Sequence, residues 1–121
     1  MKQILLVDDE TAFANGLKIL LEKNGYVTDI AGNGEEGLLK FNSKPYEILI
    51  TDIRMPGSDG LKLITEVRKV SQSVRILAIS AGGYVPADDY LRISKLFGAN
   101  AVLTKPFLFD QFLSEIKKLE A

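Results

Sequence analysis

Short blocks of nearly uninterrupted apolar residues constrain this chain most: QILLV (3 to 7), EILI (47 to 50), RILAIS (75 to 80) and AVL (101 to 103). They are too short to be helices and rich in Ile, Val and Leu, the composition of strands covered on both faces. Strands of that kind are mostly parallel. YVTDI (26 to 30) alternates in part and reads as an edge strand. Between the blocks the period changes to that of a helix. Phe13, Leu17, Leu20 and Leu21 form one stripe, and Leu61, Ile64 and Val67 another. The segment from Asn33 opens with a capping-box variant, Asn33 with Glu36, and offers Leu38 and Phe41 to a core, while Gly37 inside it lowers helix propensity by about 1 kcal/mol. Pro86 suits the first turn of a helix PADDYLRISKLF that stops at Gly98, and Phe112, Leu113, Ile116 and Leu119 carry a terminal helix.

Strand followed by helix, five times over, predicts an α/β fold. The expected architecture is a doubly wound, five-stranded parallel sheet in the order 2-1-3-4-5 with five helices. At 121 residues and 46% hydrophobic, the chain suits a single domain spanning 1–121. The formal net charge is −1 with acids and bases interspersed, so no basic stripe for nucleic acid is present and no direct nucleic-acid binding is expected. Cysteine is absent, which fits a reducing compartment. No apolar run is long enough to span a membrane, and MKQILLVDDE turns acidic too early for a signal peptide. A cytoplasmic protein without membrane attachment is the expectation. Histidine is also absent, so chemistry must rest on carboxylates, hydroxyls and lysines.

In such sheets ligands bind at the carboxyl ends of the strands where the strand order reverses, here between the first and third strands. The first strand ends in Asp8 and Asp9, followed by Glu10, and the third in Asp52. Carboxylates crowded together need a cation or a shared proton, and oxygen-only ligation without His or Cys favours Mg²⁺ over Zn²⁺. The fourth strand ends in Ser80 and the fifth leads to Lys105, a hydroxyl and an ammonium on the same rim. Each alone has a plain structural reading: VDDE as acids at a helix start, Ser80 as a loop residue, MPG as a turn, Lys105 as a solvated lysine. Jointly they compose a phosphoryl-transfer site.

ILLVDDE, ILITDIRMPGSDG, ILAIS and GANAVLTKPF together resemble the receiver domain of two-component response regulators, over essentially the whole chain. The resemblance implies a flavodoxin-like fold and a phospho-accepting signalling domain of a two-component or phosphorelay system. It implies Asp52 as phospho-acceptor, Asp8 and Asp9 as an acidic pocket, Ser80 as the hydroxyl, Lys105 as the invariant lysine and a cis bond before Pro106. Mg²⁺ would be held in that pocket, with Asp9, Asp52 and the backbone carbonyl of Arg54 as ligands. The donor would be a phosphohistidine on a sensor histidine kinase or histidine phosphotransfer protein, and the output a changed affinity for a downstream protein. Such a domain is not a conventional enzyme, although it would catalyse its own phosphorylation and dephosphorylation.

Departures from the family pattern are also legible. Val102 stands where many relatives carry Tyr or Phe, the segment from Ser80 to Gly98 is longer than usual, and Leu108 and Phe109 replace a polar cap. Tyr84 and Tyr90 are candidates for the missing aromatic role, against plain packing of Tyr90. Leu108 and Phe109 either complete the core or add apolar surface. With only a terminal helix after Lys105, the chain reads as a stand-alone receiver or one excised from a longer protein. The competing reading is a degenerate receiver that binds partners without phosphorylation. A nucleotide-binding fold lacks its G-x-G-x-x-G, and an aspartyl phosphohydrolase would need Asp where Glu10 stands.

Overall fold

A computed structural model of the chain describes residues 2–53, 59–80 and 97–120. The elements in chain order are β1 (Gln3–Val7), α1 (Thr11–Lys23), β2 (Val27–Ala31), α2 (Gly34–Ser43), β3 (Ile48–Ile53), α3 (Asp59–Val70), β4 (Arg75–Ser80), β5 (Ala101–Thr104) and α4 (Phe109–Glu120). All four strand pairings are parallel and the order is β2-β1-β3-β4-β5. The sheet is the doubly wound arrangement expected from the alternation of periods. Among the described residues there are four helices. The helix expected from Pro86 lies outside them, although Gly98, its expected stop, has the positive φ of 112° that glycine tolerates.

Successive residues of a strand point to opposite faces, so each apolar block feeds two cores. Leu5, Val7, Leu49 and Ile53 join Phe41 of α2 and Leu63, Ile64 and Val67 of α3. Ile4, Leu6, Ile50 and Leu77 join Leu17 and Leu21 of α1 and Phe112 and Ile116 of α4. Every residue of β3 is buried, which is why its sequence is apolar without alternation.

Three boundaries shift from the sequence reading, each for a physical reason. Tyr26 precedes β2 rather than opening it. Its ring is buried with α1 and α4, and its hydroxyl donates to Glu120 Oε2 at 2.8 Å. β5 runs one residue further, to Thr104, through its register with Ser80. β3 continues past Ile50 because Thr51, Asp52 and Ile53 stay in register with Ala78, Ile79 and Ser80 of β4. Asp52 is therefore the penultimate residue of a buried strand.

Local details explain residues that propensity alone disfavours. Asn33 Oδ1 accepts the backbone N–H of Glu36 at 2.8 Å, and the Glu36 carboxylate in turn accepts from Gly32 at 3.1 Å, capping α2 from both directions. A Cβ on Gly37 would lie 2.9 Å from Val7 Cγ2 and 3.2 Å from Leu63 Cδ2. The glycine is what lets α2 sit close against β1 and α3. Arg68 links α3 to the turn before β5: Nε donates to the Gly98 carbonyl at 2.9 Å, one terminal nitrogen to Val74 at 2.7 Å, and the other to Asn100 Oδ1 at 2.9 Å. Among the described residues no helix is long and apolar enough to cross a membrane.

Candidate functional site

The carboxyl ends of four strands lie along one rim of the sheet. Asp8 follows β1 directly and is buried; its N–H donates to the Ala31 carbonyl at 3.0 Å, and its Oδ1 accepts the N–H of Glu10 at 2.8 Å. Asp52 is buried in β3 beside it, and Ser80, fully buried, closes β4. Lys105 follows β5, with its N–H donating to the Ser80 carbonyl at 2.7 Å and a cis bond to Pro106. The backbone of β5 thus delivers an ammonium to a pocket built by the neighbouring strands.

That ammonium is the centre of the site. Lys105 Nζ lies 3.1 Å from Glu10 Oε1, 3.4 Å from Asp52 Oδ2 and 3.5 Å from Asp8 Oδ2, and 4.2 Å from the centroid of the Phe13 ring. Burial pulls the lysine pKa down. The bond to Glu10 and the charges of Asp52, Asp8 and Glu10 together outweigh that and raise it above the ordinary value. Lys105 is therefore a firmly charged cation, 15% exposed at its side chain.

Asp8, Glu10 and Asp52 each place a carboxylate oxygen within 4.8 Å of the others, a set of hard oxygen donors suited to a divalent cation. Asp9, expected in the pocket, is exposed and is not in that trio, whereas Glu10 is. The turn out of β1 sends consecutive acids in different directions. Arg54 lies outside the described residues, as do Tyr84 and Tyr90. Sequence reasoning assigned no role to Glu10 and put Phe13 only in the α1 core stripe. The signal available for both was proximity: they lie one and four residues beyond the Asp8–Asp9 pair, at the N-cap and in the first turn of α1.

Other expectations fall away from the crevice. Val102 is half-buried against the core under α2 and α3. Leu108 and Phe109 remain largely exposed, adding apolar surface rather than core. The cap of α4 comes from Gln111, whose Oε1 accepts the Leu108 N–H at 2.8 Å.

The sequence profile of the response regulator receiver domain matches residues 4–117. The chain belongs to this family. A transcriptional regulatory protein of Haemophilus influenzae, a CpxR homolog, is 35% identical over 120 residues, covering 98% of this receiver domain and 50% of its own length. The uncharacterized transcriptional regulatory protein YesN of Bacillus subtilis is 34% identical over 124 residues, covering 100% of this chain and 33% of itself. The receiver domain thus spans a third to a half of the length of these curated relatives. Among solved structures, the response regulator TrrA of Thermotoga maritima in complex with Mg²⁺-BeF is 39% identical, with a TM-score of 0.84 and 98% and 99% of the two chains covered. TrrA in complex with the histidine kinase ThkA is similar at a TM-score of 0.83, again at 39% identity, with both chains fully covered.

Proposed function

We propose that this receiver domain of a two-component response regulator accepts a phosphoryl group on Asp52 from a phosphohistidine of a partner kinase or phosphotransfer protein, and signals by changed binding to a downstream protein. The observation that carries the reading is the Lys105 ammonium, 3.4 Å from the buried Asp52 carboxylate and flanked by Asp8 and Glu10. The kinase complex of TrrA, a relative of 39% identity, supports a histidine kinase as donor.

An Asp52 oxygen forms the new bond to phosphorus as the bond from phosphorus to the donor imidazole nitrogen breaks, and that nitrogen keeps the electron pair. Lys105 would pair with one phosphoryl oxygen, and the hydroxyl of Ser80, the last residue of the adjacent strand β4, would donate to another. Asp8 Oδ2 is buried and accepts no hydrogen bond among the described residues, and the trio's negative charge exceeds what one lysine balances, so the donor set fits a hard cation. Mg²⁺ held by Asp8, Asp52 and the expected ligands Asp9 and the Arg54 carbonyl would neutralise charge on the transferred group. The Mg²⁺-BeF complex of TrrA, a relative of 39% identity, supports Mg²⁺ as the cation. Water attack on the acyl phosphate returns the Asp52 carboxylate and free phosphate. The phosphorylated state then acts by favouring one of two conformations with different partner affinity.

Intact-mass measurement after incubation with acetyl phosphate tests the assignment. Wild type should gain one Mg²⁺-dependent phosphoryl adduct and Asp52→Asn none. Labelling of Asp52→Asn at the wild-type rate would overturn it.

A further inference from the structure

We propose that Phe13 is a positioning residue for phosphoryl transfer: the face of its ring keeps the Lys105 ammonium at the crevice when the lysine's carboxylate partners are engaged by a cation and by the phosphoryl group. The inference rests on the reading of Asp52 as acceptor. Nζ lies 4.2 Å from the centroid of the Phe13 ring, within the distance at which the negative face of an aromatic ring attracts a cation. With the lysine side chain only 15% exposed, little water screens that attraction.

Nζ donates to Glu10 Oε1 at 3.1 Å and to Asp52 Oδ2 at 3.4 Å, and it faces Asp8 Oδ2 at 3.5 Å without a hydrogen bond to it. One of the three ammonium donors thus has no hydrogen-bond partner among the described residues and is left for a phosphoryl oxygen. The carboxylates around Nζ are the same three whose oxygens cluster as hard donors for a divalent cation. A lysine held by them alone loses part of that hold when a cation binds and when Asp52 carries phosphorus. The ring is neither a metal ligand nor a phosphoryl acceptor, so its attraction persists through both events. That matters because phosphoryl transfer relies on groups positioned in advance, and a lysine on its four-carbon stem has much rotamer freedom to lose.

The ring is itself fixed by a run of aromatic contacts. Phe13 meets Phe107 edge-on, with centroids 5.9 Å apart and planes at 68°, and Phe107 stacks on Phe112 at 5.8 Å and 13°. Phe112 is fully buried in the core beneath α1 and α4. Phe13 belongs to the first turn of α1 and Phe107 closely follows Lys105 in sequence, so this anchor ties the ring both to the helix and to the segment that carries the ammonium.

The test uses the full chain with acetyl phosphate and Mg²⁺, reading initial labelling rates by intact mass in wild type, Phe13→Tyr, Phe13→Leu and a chain with pentafluorophenylalanine in place of Phe13, which keeps the ring but reverses the charge on its face. Phe13→Leu and the fluorinated ring should slow labelling about three- to tenfold, the range of a largely desolvated cation–π contact, while Phe13→Tyr stays close to wild type. Proton NMR of the metal-free domain should show the Lys105 ε-methylene shifted upfield by the ring, a shift that persists when Mg²⁺ is added and vanishes in Phe13→Leu. Wild-type labelling by the fluorinated chain overturns the proposal, because it reduces Phe13 to its shape. So does an ε-methylene without the upfield shift, or one that loses it on adding Mg²⁺. Absence of any wild-type adduct instead sinks the assignment of Asp52 and the positioning role with it, and the NMR shift then shows whether the contact alone exists. Matching urea midpoints across the variants separate these effects from altered folding.

Discussion

Gly60 lets the start of α3 lie directly against the backbone of Asp52, and Gly60→Ala tests how far the placement of Asp52 depends on that approach. A Cβ at that position would lie 2.1 Å from the backbone oxygen of Asp52, 2.9 Å from its carbonyl carbon and 3.0 Å from Ile53 Cα. Close carbon–oxygen contacts in proteins settle at about 3.3 Å or beyond, so the start of α3 and the end of β3 must separate by roughly 1 Å. All three contacted atoms are backbone, and Asp52 and Ile53 are paired in register with Ile79 and Ser80, so no side-chain rotation relieves the clash. Overpacking of this kind costs about 1–3 kcal/mol, offset by at most about 1 kcal/mol from better helix propensity. At roughly 3–5 °C per kcal/mol for a chain of this size, the melting temperature should fall by several degrees. The acceptor is displaced as well, and roughly 1 Å of misplacement can cost about 100-fold in rate. Calorimetry and the acetyl phosphate assay read the two effects on one sample. Gly16→Ala is the control, because a Cβ there meets nothing within 4 Å. A Gly60→Ala variant that melts at or above wild type and labels at the wild-type rate would refute the reasoning.

Arg68→Ala should lower the urea midpoint without changing the m-value, by about 2 kcal/mol or more, because it leaves the Gly98 and Val74 carbonyls and Asn100 Oδ1 without their charged donor. Burial, together with the bond to Glu120 and that carboxylate's charge, pushes the Tyr26 hydroxyl up to about 12. Its folded value exceeds the unfolded value of about 10, so its contribution is complete below about pH 10 and is lost as pH rises toward about 12; Tyr26→Phe should flatten that decline in urea midpoints. Asp29 runs the opposite way: the Lys44 and Tyr46 side chains hold its carboxyl below the usual range, so its stabilisation is present above about pH 4 and disappears as pH falls through the lowered value, a loss that Asp29→Asn should remove from the acid titration.

The strands and their order were legible because burial on both faces leaves an unmistakable mark, a run of Ile, Val and Leu without alternation, and the parallel connections then leave few topologies. What composition could not show was set by contacts remote in sequence. The apolar block of β3 stops at Ile50, and it is pairing with β4 that carries the strand through Thr51 and Asp52 to Ile53. A charge survives there because Lys105, 53 residues away, stands 3.4 Å from it. Gly37 counted against α2 by propensity, but Val7 and Leu63 leave no room for a larger residue without adjustment. The direction of each acid in Asp8, Asp9 and Glu10 depends on torsions at the turn into α1, which the run of letters does not encode. The same turn gives the candidate site its asymmetry. Asp8 and Asp52 are locked into the sheet, while Glu10 reaches the same ammonium from a helix terminus exposed to solvent. A single ammonium held from two strand ends and one helix start ties α1 to the sheet at the carboxylate crevice, a link between residues 95 apart that composition alone does not reveal.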